Sequence, residues 1–449
     1  MNNKNFIKET NGITLIALII TVIILLILAG TAISIAVNGG DLFGKAQNAV
    51  EGYNRKVSEE NTVTDYYKAL LDQYAGGGNE GALPEGWYAD AVAIAYPSAT
   101  AAQKAPIPKG FTVSSVSTEN TIANGLVIYE GSEAVTDDNH ENVMQNRNQY
   151  VWIPVADIND MVMCKSRTDE SECNIGFDEN GVLKCKNSAH SETATDLCGR
   201  LYNENIDWDN PTVTDGKSFY SGSMATIKTG QTWDTSGFHE PALVTDYDEN
   251  TTAAQEQIES DFYSMAESVA VYGGFYVARY EVQANAGSKA DKDVVTGATN
   301  DQLWYGLYGT LRKQIKNGTT TTLVGQMIWG SQYDQVIKFI GEDAQEGHNY
   351  QKIAVAKSGA NSSDNLKNIF DLEGNLFEWT AEANSSDYCA FRGGDFALAG
   401  YGYFYPASNR YYDGPNDTSS DLSSRQSLYV PLKAGSDSLE GAGNIIYDP

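Results

Sequence analysis

The side chains able to do covalent or metal chemistry are few, and their spacing rules out most of it. There are four histidines, His140, His190, His239 and His348. None stands in the His-Glu-x-x-His pattern that puts two imidazoles on one helix face around zinc, and His239-Glu240-Pro241 breaks that pattern at once. No Gly-x-Ser-x-Gly elbow and no phosphate-cradling glycine loop occurs. Asp246-Tyr247-Asp248-Glu249-Asn250 spaces three oxygens like the start of a calcium loop. However, Thr251 stands where the turn needs glycine and Gln257 where the bidentate carboxylate belongs, so the stretch reads as a solvated acidic loop.

Two other groupings carry more. Cys164, Cys173, Cys185 and Cys198 lie close together around the turn-forming Asp178-Glu179-Asn180-Gly181, with Cys389 as a distant fifth. In an exported chain the four are candidates for two disulfides, with three pairings open. From Ala397 to Leu422 the chain is crowded with Tyr, Asn, Asp and Ser, a mixture that supplies flat contact area and adaptable hydrogen bonds, as recognition loops do. Its candidate ligand-binding residues are Tyr401, Tyr403, Tyr405, Asn409, Tyr411, Tyr412 and Asn416, expected to be partly exposed.

The elements that must position these residues begin with an apolar run from Ile13 to Val37. No charge occurs between Glu9 and Asp41, and about 20 helical residues cross a bilayer core. Lys4 and Lys8 precede the run, and Asn38-Gly39-Gly40 stops it. A second helical pattern through Leu42, Ala46, Ala49, Tyr53 and Val57, then Val63, Tyr66, Leu70 and Tyr74, makes a stalk that Gly76-Gly77-Gly78 ends. Short β-branched and aromatic runs follow at Ile107–Val113, Gly125–Tyr129, Tyr150–Val155 and Val269–Glu281, each reading as strand. Helical patterns lie at Leu303–Ile315 and Gly330–Ile340, and between Val155 and Val269 periodicity fades into an inserted, loop-rich lobe.

Composition fits this division. The 449 residues carry a formal net charge of −29, which repels phosphate backbones and excludes nucleic acid as a partner. With 41% apolar residues the chain can build a real core, while 27 Tyr and 42 Gly mark it as loop-rich.

Ahead of the apolar run, the short polar leader ending at Gly12 resembles that of a type IV prepilin, and Ile-Thr-Leu-Ile is common in prepilin-like proteins of Gram-positive bacteria. The resemblance implies cleavage by a prepilin peptidase between Gly12 and Ile13, methylation of the new amino terminus, and pilin or pseudopilin partners at the membrane. The family's glutamate, five residues after the cut, is here Ala17.

Further on, Trp152-Ile153-Pro154, Gly273 to Glu281, Gly374-Asn375-Leu376-Phe377-Glu378-Trp379-Thr380, Phe391-Arg392-Gly393-Gly394-Asp395-Phe396 and Ser424-Arg425 follow one another in order. Together they resemble the formylglycine-generating, sulfatase-modifying family, whose fold is a C-type-lectin-like α+β module. The resemblance implies a scaffold of Trp152, Trp379, Arg392, Gly393, Gly394 and Arg425. It also implies a structural calcium at Gly374, Leu376 and Glu378, the alternative being that Glu378 pairs with an arginine such as Arg392. Catalytic members bind copper through a cysteine pair after Arg-Gly-Gly, whereas Gly394 to Pro449 holds no cysteine and Cys389 precedes the turn. The stretch after Arg-Gly-Gly also resembles the variable region of lectin-like proteins diversified by retroelements.

The expected architecture is therefore α+β. A leader (1–12) precedes a pilin-like helix and stalk (13–75), a linker (76–106), a lectin-like head (107–433) with a cysteine-rich insertion (160–268), and a tail (434–449). The expected function is a single-pass membrane or pilus protein whose extracellular head binds a glycan or protein and is not an enzyme. The alternatives are an enzyme of the formylglycine-generating superfamily with altered chemistry, and a minor pseudopilin of a type IV pilus or type II secretion-like system.

Overall fold

The computed structural model describes residues 105–155, 157–164, 174–177, 183–185, 197–201, 240–242, 252–296, 304–318, 320–341, 355–385, 387–396 and 406–431, and the backbone strand Val92–Ala95. All belong to one compact unit, Ala69–Pro449. The leader with Gly12 and Ile13, the pilin-like helix and stalk, Cys173, Tyr401, Tyr403 and Tyr405 lie outside the described residues. Among the described residues no helix is long and apolar enough to cross a membrane.

The unit is α+β and mostly sheet. Eleven strands make its two larger sheets: β1 (Phe111–Val113), β2 (Val127–Glu130), β3 (Gln149–Pro154), β4 (Gly274–Ala278), β5 (Lys313–Asn317), β6 (Thr320–Met327), β7 (Phe377–Ala383), β8 (Cys389–Arg392), β9 (Arg410–Asp413), β10 (Leu422–Ser424) and β11 (Gln426–Tyr429). The first sheet is antiparallel in the order β5-β6-β11-β4-β3-β2-β1; the second runs β9-β8-β7-β10, with β10 parallel to β7. Among the described residues four α-helices accompany them: α1 (His140–Asn146), α2 (Thr252–Tyr272), α3 (Trp304–Leu311) and α4 (Gly330–Ile340).

Alternation along the central strands divides the core in two. Val151, Ile153, Phe275 and Val277 face a large core shared with α2, α3, α4 and the second sheet. Tyr150, Trp152, Tyr276 and Ala278 face a smaller one with Phe111, Leu323 and Leu428. Strand Ala105–Pro108 contributes Ala105 and Ile107 to this smaller core, and the Tyr276 hydroxyl donates to Pro106 O at 2.8 Å. Tyr276 pairs across the sheet with Trp152, their rings edge to face at 4.9 Å. The close approach needs Gly274, where a Cβ would lie 2.3 Å from Ile153 O and 2.5 Å from the Trp152 ring.

Three sequence expectations change. The strand expected at Val269–Glu281 starts only at Gly274, because α2 runs to Tyr272 and stops at Gly273, whose φ is +72°. Helix Leu303–Ile315 ends at Leu311, and Lys313–Asn317 is instead edge strand β5, which pairs with β6 and turns at Gly318 (φ +66°). The insertion is not only loop: Val162–Cys164 pairs with Leu197–Gly199, Ile175–Phe177 pairs with Leu183–Cys185, and α2 carries Ala254, Ile258, Phe262, Met265 and Val269 into the core.

Candidate functional site

The Arg-Gly-Gly turn joins the second sheet to the rest. Gly393 has φ +79°, and a Cβ there would lie 2.4 Å from Leu372 O, so only glycine fits. Arg392 (side chain fully buried) donates from Nη1 to Asp334 Oδ1 at 2.8 Å and from Nε to Asn409 O at 2.9 Å, and lies over the Tyr333 ring. Arg410 donates from Nη2 to both oxygens of the same aspartate, at 2.9 and 2.7 Å. Its Nε lies 3.0 Å from Glu382 Oε1, close enough for an ion pair but without hydrogen-bond geometry. Glu240 is the third carboxylate near this group; it accepts hydrogen bonds from the Ser331 N–H (2.9 Å) and hydroxyl. All five ionisable side chains are buried. Burial pushes the Glu240 carboxyl up to about 8, and the neighbouring charges of Glu382 and Asp334 add to that. Burial likewise pushes Glu382 up to about 7, opposed by Arg410 and Arg392.

Glu378 does not pair with Arg392. Both its oxygens accept from Arg425, at 3.0 and 3.1 Å from Nε, with Nη2 2.5 Å from Oε1. Arg425 also donates to Ala278 O and Phe370 O, tying β4, the loop before β7 and β7 itself together. The Gly374 carbonyl accepts from the Leu376 N–H, which also donates to Glu281 Oε1. Gly374, Leu376 and Glu378 therefore do not fit a calcium ion: the one carboxylate of the set is engaged by a buried guanidinium. Among the described residues no group of three or more His, Cys, Asp or Glu converges as a metal site.

Trp152, Trp379, Arg392 and Arg425 are among the largest fully buried side chains, and Gly393 and Gly394 are buried with them. Cys164 and Cys185 form a disulfide, and Cys198 is buried. Cys389 is a buried thiol whose pKa is raised by desolvation. His140, half-buried, closes a separate cluster in which its Nε2 lies 2.8 Å from Glu119 Oε1 and 3.1 Å from the Tyr129 hydroxyl. Arg279 Nη1 is 2.7 Å from the same Glu119 oxygen.

The aromatic residues gather at the β9 edge of the second sheet. In β9, Tyr411 pairs with Phe391 of β8, their rings edge to face at 5.6 Å. Tyr411 stacks on Tyr412 at 5.0 Å, and Tyr412 meets Tyr388 at 5.3 Å. Tyr411 is 37% and Tyr388 42% exposed, while Tyr412 is half-buried and Asn416 exposed. Asn409 is a correction: it is fully buried, its side-chain amide donating to Gly393 O at 2.7 Å, so it holds the turn and does not face solvent. Sequence reasoning missed Tyr388, which lies before Arg-Gly-Gly and reaches the face only because β8 and β9 pair with Cys389 opposite Asp413. Glu240 and Glu382 were also missed. Their signals were a glutamate in the apolar run of β7 and one fixed beside proline.

The chain thus has an α+β, sheet-dominated head whose charged lattice supports a tyrosine-bearing edge. No family model matches it, and no curated protein matches it. Among solved structures it is similar to the Major Tropism Determinant I1 variant, with 13% identity and a TM-score of 0.26, over 36% of this chain and 51% of that one. The U1 variant gives 11% identity and a TM-score of 0.26 over the same shares. The chain therefore spans about half the length of these two structures. Treponema denticola variable protein 1 gives 13% identity and a TM-score of 0.23 over 63% of this chain and 95% of that one.

Proposed function

We propose that this protein is a membrane-presented binding protein, an adhesin or ligand-recognition head carried on the apolar segment 13–37 and its stalk, and that Tyr388, Tyr411, Tyr412 and Asn416 belong to its recognition face. One observation carries the reading. Of three large hydrophobic side chains exposed among the described residues, Tyr388 and Tyr411 are two, and Tyr412 joins them into one patch. Exposed aromatic patches on otherwise well-buried heads mark contact surfaces. Copper-dependent formylglycine chemistry is not part of the proposal, since the sequence lacks the cysteine pair and Cys389 is a buried thiol held protonated.

The test is to probe defined glycan and protein arrays with the full chain in non-ionic detergent, alongside Tyr388→Ala, Tyr411→Ala and the double variant. Each truncation should weaken the hits by about 1 kcal/mol or more while the melting temperature stays nearly unchanged. Hits indifferent to both tyrosines would place recognition elsewhere, and unfolding of both variants would make the tyrosines part of the core.

A further inference from the structure

The tyrosine patch has a charge bias that names a partner. From Asn384 to Asp421 the sequence contains two cations, Arg392 and Arg410, and no lysine. Both arginines are buried and committed to Asp334. Asp395 is buried too. The charges that reach solvent among the described residues of this stretch are therefore all carboxylates: Asp387, exposed, and Asp413, Asp417 and Asp421, partly exposed. Their placement follows from the strand register. Asp413 ends β9 opposite Cys389, one residue from Tyr388, and directly follows the stacked Tyr411–Tyr412 pair. Asp417 returns toward it through a turn in which its N–H donates to Gly414 O.

Resting on the binding reading above, we infer that the tyrosine face takes a cationic protein segment, with an arginine side chain stacked on the tyrosines and paired with the Asp413/Asp417 carboxylates. The chemistry is complementary at each point. A guanidinium is planar and weakly hydrated, so it lies against an aromatic face and still presents its donors to carboxylates in its own plane. Asp413 Oδ1 accepts from the Gly414 N–H and Asp417 Oδ1 from the Ser419 N–H, so backbone holds one oxygen of each carboxylate in place. Burial, a hydrogen bond with Asp413 and the charges of Asp413 and Asp421 raise the Asp417 pKa. A neutral sugar would leave that repulsion in place, whereas a cation removes it.

The probes are synthetic peptides of one glycine-serine frame carrying two arginines, two citrullines or two glutamates, together with a neutral oligosaccharide array. They are read by fluorescence anisotropy and surface binding on the full chain in non-ionic detergent. Citrulline keeps the shape of arginine and removes its charge. The arginine peptide should bind, and citrulline should cost about tenfold or more, as should Tyr411→Ala and the Asp413→Asn/Asp417→Asn pair. The remote exposed pair Asp137→Asn/Asp138→Asn should leave binding unchanged, although it removes the same formal charge. If the remote pair costs as much as the local one, the attraction is that of the whole acidic chain and the inference falls. If sugars or the glutamate peptide bind in a Tyr411-dependent way, the cationic partner is overturned and the recognition face stands. If no probe or array hit depends on the tyrosines, both fall.

Discussion

Replacing Glu240 with Gln should remove a large part of the head's loss of stability above neutral pH. Three carboxylates, Glu240, Asp334 and Glu382, share two guanidiniums, Arg392 and Arg410, in a buried lattice, so full ionisation leaves one negative charge uncompensated. Glu240 is where that excess falls, because the groups that hold it are the neutral Ser331 N–H and hydroxyl. Burial lifts its folded-state pKa to about 8, above the ordinary carboxylate value of 4.5. Between those values the folded state holds a proton that the unfolded chain has released, so stability falls as pH rises through the window. From pH 6 to pH 8 this amounts to about 2 kcal/mol, and to about 3 kcal/mol by pH 9, at 1.36 kcal/mol per unit. Gln cannot ionise, and it can accept from the Ser331 N–H while donating to the hydroxyl, so it reproduces the neutral acid. Urea unfolding of the full chain in detergent at pH 6 and pH 9 measures both proteins. The variant should lose about 3 kcal/mol less than the wild type over this interval. An unchanged pH slope in the Gln variant would refute the placement of the excess charge on Glu240.

Arg425→Met should strand the Glu378 carboxylate in the core at a cost of about 3–5 kcal/mol, read as a lowered urea midpoint at pH 7; a midpoint within error of wild type would show that the pair is dispensable. Gly393→Ala meets Leu372 O and a left-handed backbone, and should destabilise by more than about 1 kcal/mol. An Ala variant as stable as wild type would show that the turn can move. For the cysteines, unreduced protein unfolded in denaturant should show one reactive thiol, Cys389. This count assumes that Cys173 and Cys198 form the second disulfide expected in the insertion, beside Cys164–Cys185. Three reactive thiols would remove that second bridge, and five would remove both.

The strands were legible where one pattern governs them. β2, β3 and β4 announce themselves as β-branched and aromatic runs because nearly all their positions are buried, and Gly330–Ile340 announces itself as a helix. α2 was not legible. Ala254, Ile258, Phe262, Met265 and Val269 do recur at helical spacing, but Gln, Glu, Ser and Asp between them hide the stripe, and Asp261 is itself buried by its pairing with Arg312. β5 was read as helix because Ile315 continues the spacing of Leu307 and Leu311; pairing with β6 overrides that local signal. In the site, the Arg-Gly-Gly turn could be read from its residue types, but no spacing tells Glu378 to choose Arg425 over Arg392. Such partners are set by where strands meet. Asn409 was misjudged for the same reason: it shares its polarity with Asn416, yet lies one residue before β9, under the turn.

The order of strands in the first sheet has a consequence for how the protein is made. β11, almost the last described element, is inserted between β6 and β4, with Tyr276 opposite Leu428 and Gln326 opposite Ser427. Until Gln426–Tyr429 has left the ribosome, two interior strands carry open edges, and Arg425 is not there to neutralise Glu378. The head must therefore assemble in one late event after synthesis, with strand partners such as Tyr276 and Leu428 far apart in the chain, a topology that folds slowly. A ribosome stalled before codon 426 would yield a chain with no path to a closed sheet.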